Sequence, residues 1–272
     1  TISNANDLTS VTLDSDVTHI DLNNIANVLL DINDLTNRTV TANGGTYKVK
    51  DTATNLAAAA EALLSNQTIV INDSSTAATT TELNSIQTKM VSNGGNGSVT
   101  YTKLTGSASS LDTNKADIIA GVAVTIDETG NNVAATVAEL NNLQTAVADA
   151  AGGASLTYTK LRDTSANIRN NTALGAITDV EGIAVTVTTT SDATEFGEIL
   201  TAATANNAAG TVTGAVADAG SALTGVTFPD ATSITATISA ATDLTTVTLD
   251  GDVTHIDLND VTDVLLDIND LT

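Results

Sequence analysis

The chain has 272 residues, a formal net charge of −23 and a pI near 4.1. This excess of acid argues against nucleic acid as a partner, because nucleic-acid binders carry basic patches, and against docking on an anionic membrane surface. Hydrophobic residues make up 42% of the chain, which predicts an ordered protein, and cysteine is absent, which excludes disulfides and thiol nucleophiles. No segment approaches the roughly 18 consecutive apolar residues of a membrane span, so we expect no membrane insertion.

The first predicted element, at residues 7–36, recurs at residues 243–272 with a constant offset of 236, and 24 of the 30 positions are identical. Recurrence at a long fixed period is typical of tandem repeats. We therefore expect one repeat of about 236 residues and the start of the next, cut from a longer protein. The predicted domains are the opening signature at 1–42, the body at 43–239 and the next repeat's start at 240–272.

The duplicated segment, called the signature below, contains three short runs of alternating apolar and polar residues. In the second copy these runs lie at 247–249, 254–258 and 264–268, separated by Asp, Asn and Gly. Three short faces within about 28 residues predict one coil of a parallel β-helix. An antiparallel hairpin meander stays open, because period-two alternation does not distinguish parallel from antiparallel pairing.

The body between the signatures contains a shorter repeat. Segment 49–56 aligns with 104–111 and 161–168, and more weakly with 216–223, at spacings of 55 to 57 residues. β-Branched runs at 68–73, 122–127 and 183–187 interleave with these segments, so that one pair of elements recurs about every 28 residues. This is within the length range of solenoid coils.

The body also contains helix-prone segments. Residues 46–49 are strand-like, and Asp51 or Thr52 is placed to cap a helix over 55–65. Residues 136–148 carry apolar side chains at helical spacing. The predicted fold is mainly β with helical arms, an elongated parallel β-solenoid with a coil of about 28 residues. An α/β solenoid and a β-sandwich array are the alternatives.

Carboxylates cluster at the turns of the signature and are candidate calcium ligands, because calcium takes six to eight oxygens and stacked turns can supply them. The candidates in the two copies are Asp14, Asp16, Asp21, Asp250, Asp252 and Asp257. Neither the EF-hand pattern nor the glycine-rich nonapeptide pattern is present. The alternative interpretation is a hydrated acidic surface with turn-forming Asp and Asn, and no other cofactor is predicted.

Catalytic chemistry is not expected. The only histidines, His19 and His255, occupy equivalent places in the two signatures, and a solvent-facing or structural role is predicted for both. Glu82 and Glu139 also recur in register. An enzyme needs one unique arrangement of catalytic side chains, whereas these residues recur in successive sequence repeats. We therefore predict that the protein is not an enzyme.

The strings DTATNL at 51–56, DTSANI at 163–168 and ELNSIQ at 82–87 lie between Thr- and Val-rich strands. In these strings the chain resembles the repeats of very long bacterial surface and secreted proteins over residues 46–223. Those proteins act as adhesins, surface layers or extracellular filaments and sheaths. The resemblance implies an extracellular or cell-surface location and a structural role.

The predicted function is a structural component of an extracellular filament, sheath or surface layer, self-associating along the chain or between chains. The alternative is an adhesin module that binds a glycan or a cell-surface partner. That alternative predicts one non-repeating patch, and residues 203–229, which hold the only proline, Pro229, are the candidate. A degenerate repeat with a looser turn is the competing interpretation of this stretch.

Overall fold

The computed structural model describes residues 1–4, 8, 12–129, 134–150, 152–170, 180–224, 227–228, 231–238 and 253–264. The chain forms two compact units that interleave in sequence. The first contains Thr1–Gly106, Thr113–Ile126 and Ala146–Thr157, and the second contains Ser107–Asp112, Asp127–Thr145 and Tyr158–Thr272. The domain boundaries at residues 42 and 239 stay a prediction.

The first unit contains ten described strands in three parallel sheets. The strands are β1 (His19–Asp21), β2 (Val28–Leu30), β3 (Thr39–Thr41), β4 (Tyr47–Asp51), β5 (Thr68–Ile71), β6 (Ala78–Thr79), β7 (Ser98–Thr100), β8 (Lys103–Gly106), β9 (Ala123–Ile126) and β10 (Ser155–Thr157). Their orders are β1-β3, β2-β4-β5-β7 and β6-β8-β9-β10. Buried apolar residues pair in register, as Val49 does with Ile69, and build the core from small layers.

The second unit contains one described parallel sheet of five strands in chain order. The strands are β11 (Lys160–Asp163), β12 (Ala184–Val187), β13 (Thr211–Ala219), β14 (Ala231–Thr237) and β15 (His255–Asp257). Leu161, Val185 and Val212 pair in register, and each is at most 1% exposed. The ring of Phe196 packs edge-to-face on Phe228, with centroids 5.2 Å apart.

Eight described α-helices connect these strands. They are α1 (Ile32–Leu35), α2 (Ala53–Ala58), α3 (Glu61–Leu64), α4 (Thr80–Val91), α5 (Ala108–Thr113), α6 (Val137–Asp149), α7 (Ser165–Arg169) and α8 (Ala193–Ala203). The helix predicted over 136–148 matches α6. The single helix predicted over 55–65 is wrong, because Ala59 and Ala60 take extended dihedral angles and divide it into α2 and α3. Of the two predicted caps, Asp51 and Thr52, it is Thr52 that caps α2, where its side chain accepts the N–H of Asn55.

The prediction of a mainly β, elongated parallel β-solenoid is wrong. The chain is a mixed α/β protein in which the described helices contain about as many residues as the described strands. The strands form four separate parallel sheets, and no closed solenoid is present in the described ranges. A β-sandwich array is also wrong, since sandwiches are antiparallel and every described strand pairing is parallel.

The fold-class prediction was wrong because helices connect the parallel strands. Each of the longer helices α4 and α8 begins at a side-chain cap and buries one apolar face, as α4 does with Leu83, Ile86 and Met90. Parallel strands need a crossover connection, which is usually a helix. The strands are only two to nine residues long, so the helices contribute as many residues to the fold as the strands do.

Candidate functional site

The first signature is built around strand β1 and the turn that follows it. Asn23, Asn24 and Asn27 have left-handed backbone angles, with φ of 48°, 64° and 59°. Asparagine tolerates this region better than most residues. The carboxylate of Asp21 accepts the N–H of Asn23 at 3.0 Å and fixes the start of the turn.

The second signature has the same local conformation. Asn259, Asp260 and Asp263 have φ of 47°, 62° and 60°, and each lies 236 positions after its equivalent in the first copy. The carboxylate of Asp257 accepts the N–H of Asn259 at 3.0 Å. The described part of the second signature, 253–264, therefore contains the same backbone turn as the first copy.

One shared contact extends the duplication beyond the segment that sequence analysis recognised. The N–H of Ile2 donates to the carbonyl of Asp21 at 2.8 Å, and the N–H of Ile238 donates to that of Asp257 at 2.8 Å. The sequence signal was present, because Thr-Ile-Ser at 1–3 recurs at 237–239 with the same offset.

The two histidines are exposed in both copies. The Nδ1 atom of His19 lies 3.0 Å from the hydroxyl of Thr18, and that of His255 lies 2.9 Å from the hydroxyl of Thr254. Each imidazole therefore contacts a neighbour in sequence, and both copies use the same local contact.

Among the calcium candidates, the carboxylates of Asp14, Asp21 and Asp257 accept hydrogen bonds within turns. Asp14 accepts the N–H of Asp16 at 3.1 Å, and Asp21 also accepts the side-chain amide of Asn43 at 2.8 Å. Asp250 and Asp252 lie outside the described residues. Among the residues that are described, no three His, Cys, Asp or Glu side chains come together as a metal site requires. Calcium binding stays a prediction.

Arg38 ties the first signature to the segment that follows it. Its Nε donates to the carbonyl of Val17 at 2.9 Å, and its Nη2 donates to the carbonyls of Leu13 at 3.2 Å and Asp14 at 3.1 Å. Its Nη1 donates to the carbonyl of Asn33. One guanidinium thus satisfies four carbonyls of the signature, which sequence reasoning did not identify.

Aspartates in or at the ends of strands connect successive layers within each unit. In the first unit, Asp51 accepts the N–H of Ile32, the first residue of α1, at 3.1 Å. In the second unit, Asp163 accepts the N–H of Val137 at 3.0 Å and Asp218 accepts that of Ala193 at 3.1 Å. These donors are the unsatisfied N–H groups of helix N-termini. Asp51 and Asp163 open the strings DTATNL and DTSANI, which gives those strings a structural role.

A second kind of carboxylate bridge repeats once in each unit. Asp73 accepts both the backbone N–H and the hydroxyl of Thr102 and, at 2.8 Å, the N–H of Lys103. Glu128 accepts the N–H groups of Thr159 at 2.7 Å and Lys160 at 2.8 Å. The signal that could have revealed both bridges is the string Tyr-Thr-Lys, which occurs at 101–103 and 158–160.

The bridge at Asp73 changes the pKa of its carboxyl group. Burial acts to raise the pKa of Asp73, but the hydrogen bonds from Thr102 and Lys103 together outweigh it, and the pKa is lowered. The carboxylate is therefore held in its charged form, in which it accepts all of these bonds.

The recurring glutamates complete capping boxes at the starts of helices. Glu82 accepts the N–H of Thr79 at 2.9 Å, and Glu139 accepts that of Thr136 at 2.8 Å. Burial acts to raise the pKa of Glu82, but hydrogen bonds from Thr79 and Thr54 outweigh it and lower the pKa. Each glutamate is thus occupied at its own helix N-terminus.

A small cavity of about 190 Å³ lies in the first unit beside β2 and β4. Its ionisable lining groups are Asp31, Lys50 and Asp51. Both oxygens of Asp51 already accept hydrogen bonds, from Ile32 on one side and from Thr52 and Asn55 on the other. Acyl-transfer chemistry needs a nucleophile next to a base, and the described lining residues include neither serine nor histidine.

The candidate adhesive patch at 203–229 is mostly regular structure where it is described. It contains the end of α8 and all of β13, whose residues Val212 and Val216 are fully buried. Phe228 is 3% exposed and packs on Phe196 in the core. Pro229 lies outside the described residues. The described part of this stretch is therefore built as a layer of the second unit.

Comparison with protein-family models, with curated proteins and with solved structures gives no match. The resemblance to giant bacterial surface proteins therefore stays a prediction. Within the described ranges, no helix has the length and apolar character needed to cross a membrane. What this protein does is argued below from the residues and contacts of its own chain.

Proposed function

We propose that the protein is a structural component of an extracellular filament, sheath or surface layer built from long tandem repeats. The observation that carries this proposal is the duplicated signature, which takes the same left-handed turn in both copies, at Asn23 and Asn24 and again at Asn259 and Asp260. A sequence that recurs at a fixed offset, with the same turn in the described part of both copies, is typical of a repeating polymer.

The construction of the layers supports a mechanical role. Carboxylates such as Asp51 and Asp73 tie successive layers together through backbone hydrogen bonds, and each reaches residues 19 to 30 positions away. Hydrogen bonds to charged groups are about twice as strong as neutral ones. A body held by several such bonds resists being pulled apart without needing large aromatic residues in its core.

The composition supports an extracellular or cell-surface location. A net charge of −23 keeps neighbouring surfaces hydrated and soluble. Self-association then occurs along the chain, or between chains, through the repeated signature.

Electron microscopy of the native material, with no ligand added, tests this proposal. The expected result is continuous filaments or sheets with an axial repeat that matches one 236-residue unit. Discrete particles with no periodic assembly would contradict it.

A further inference from the structure

Equivalent apolar residues of the two signatures differ in burial. Leu22 is 0% exposed, whereas its equivalent Leu258 is 43% exposed. Val28 is also 0% exposed, whereas its equivalent Val264 is only half-buried. Because the backbone turns are the same, the difference comes from what covers each copy. We call Ile256, Leu258 and Val264 the open face.

In the first copy, the cover is the segment that follows the signature. Strand β3 pairs with β1, and the N–H of Leu22 donates to the carbonyl of Thr41 at 3.0 Å. Gly45 packs so closely on Leu22 that a Cβ at position 45 would lie 2.7 Å from the Cβ of Leu22. The N–H of Val28 donates to the carbonyl of Thr46 at 3.0 Å, where β2 pairs with β4.

The covered edge of β1 corresponds to the outer edge of β15. Alternate residues of a strand bond to opposite neighbours. The carbonyl of Asp21 accepts from Ile2 on one edge, and the N–H of Leu22 donates to β3 on the other. In the second copy, Ile238 and β14 bond to the edge of β15 that is equivalent to the edge of β1 bonded by Ile2. No described strand pairs with the opposite edge of β15, and an unpaired edge is a template for another strand.

We propose that the open face is the docking surface for a second copy of residues 37–51, presented by a following repeat of the same protein. This inference rests on the proposed function and names the contact that joins one repeat to the next. Docking adds a strand equivalent to β3 to the outer edge of β15. Leu258 then donates to Thr41 of the docked copy, as Leu22 does to Thr41 within the first unit.

Charge complementarity favours this occupant. Residues 37–51 hold three of the nine basic residues of the chain, Arg38, Lys48 and Lys50, against a single acid, Asp51. The turn that carries the open face is acidic, because Asp260 and Asp263 stand where the first copy has Asn24 and Asn27, and Asp257 precedes them in the sequence. Opposite charges across an interface fix its register and exclude wrong partners.

Arg38 of the docked copy sets the orientation. In the first unit its guanidinium donates to the carbonyl of Val17, whose equivalent in the second signature is Val253. The N–H groups of a guanidinium have fixed relative positions, so they bond to these carbonyls in only one strand register. Arg38 is therefore the residue to change in a test.

The test compares the 272-residue chain with the same chain extended at its C-terminal end by a second copy of residues 37–157. Hydrogen exchange is measured on peptides that cover 253–264. We expect these amides to slow in the extended chain to the rates of residues 17–28, which serve as the covered reference in the same molecule. An extension carrying Arg38→Ala is expected to protect them less, with residues 17–28 unchanged.

Exchange at 253–264 that is as fast in the extended chain as in the 272-residue chain would overturn the proposal. That outcome counts against the proposal even if the appended residues fail to fold. Residues 37–51 already fold against the first signature, so the open face, if it is their docking surface, is expected to fold them too. Filaments in the microscope together with unprotected amides at 253–264 would contradict the docking surface but not the filament. Discrete particles together with protected amides at 253–264 would contradict the filament and support the docking surface.

Discussion

The carboxylate of Asp163 accepts the backbone N–H of Val137 at 3.0 Å, and so joins the end of β11 to the first residue of α6. Its other oxygen accepts the N–H of Thr164 at 2.8 Å and the side-chain amide of Asn167 at 2.7 Å. One side chain thus satisfies donors in two layers of the second unit. The equivalent contact of Asp51 with Ile32 shows that the first unit is built in the same way.

Asp163→Ala is expected to lower the free energy of unfolding by about 2 kcal/mol, because it leaves helix N-terminal and loop donors without an acceptor. Urea denaturation measures the change. Asp149→Ala is the matched control, since Asp149 is exposed at the last turn of α6, and we expect a change within about 0.5 kcal/mol. Equal effects of the two substitutions would show that the bridge does not stabilise the fold.

The lowered pKa of Asp73 predicts a pH dependence of stability. A carboxyl group whose pKa is lower in the folded state contributes stability above its unfolded value of 3.8, and this stability is lost as pH falls through the folded pKa. Asp73→Asn removes this contribution. Urea midpoints between pH 7 and pH 2.5 are therefore expected to fall more steeply for the natural chain than for Asp73→Asn. Parallel curves would contradict the assignment.

Sequence patterns predicted local elements better than their assembly. Apolar spacing located α6, and the β-branched runs located β5, β9 and β12 to within a residue or two. These patterns depend on local periodicity, which is present in the sequence. The fold class was wrong because short strands and short helices alternate so closely that neither period dominates, and the balance between them is set by tertiary packing.

The signature was recognised from sequence, but its use was not. Leu22 and Leu258 are the same residue in the same motif, and only the structure shows that one is covered and the other exposed. Long-range hydrogen bonds such as that of Arg38 with Val17 depend on which segments become neighbours. A single sequence contains no direct signal for which distant segments pack against each other.

The core of α4 is expected to be sensitive to loss of volume. Leu83 is 0% exposed and Val91, on the same helix, is 52% exposed. Leu83→Ala is expected to cost about 2–5 kcal/mol, because it leaves a cavity in a packed layer. Val91→Ala is the control, with an expected change within about 0.5 kcal/mol, measured by thermal and urea unfolding. A cost below that of the control would mean that α4 does not pack as described.

Two glycine-to-alanine substitutions are expected to change stability in opposite directions. A Cβ at position 45 would lie 2.5 Å from the carbonyl oxygen of Ile25 and 2.7 Å from the Cβ of Leu22, so Gly45→Ala forces the layers apart. We expect a loss of about 1–3 kcal/mol. A Cβ at position 197 in α8 meets nothing within 4 Å, so Gly197→Ala is expected to stabilise the helix by about 0.5–1 kcal/mol.

Calorimetric melting temperatures of the two variants measure these changes, and the opposite signs separate close packing from helix propensity. Gly45 contacts Leu22 in the first signature, so its substitution is also expected to speed hydrogen exchange at residues 20–28 and leave 255–264 unchanged. Equal acceleration in both copies would show that Gly45 acts on global stability. Acceleration confined to the first copy would identify residue 45 as part of the cover that buries Leu22.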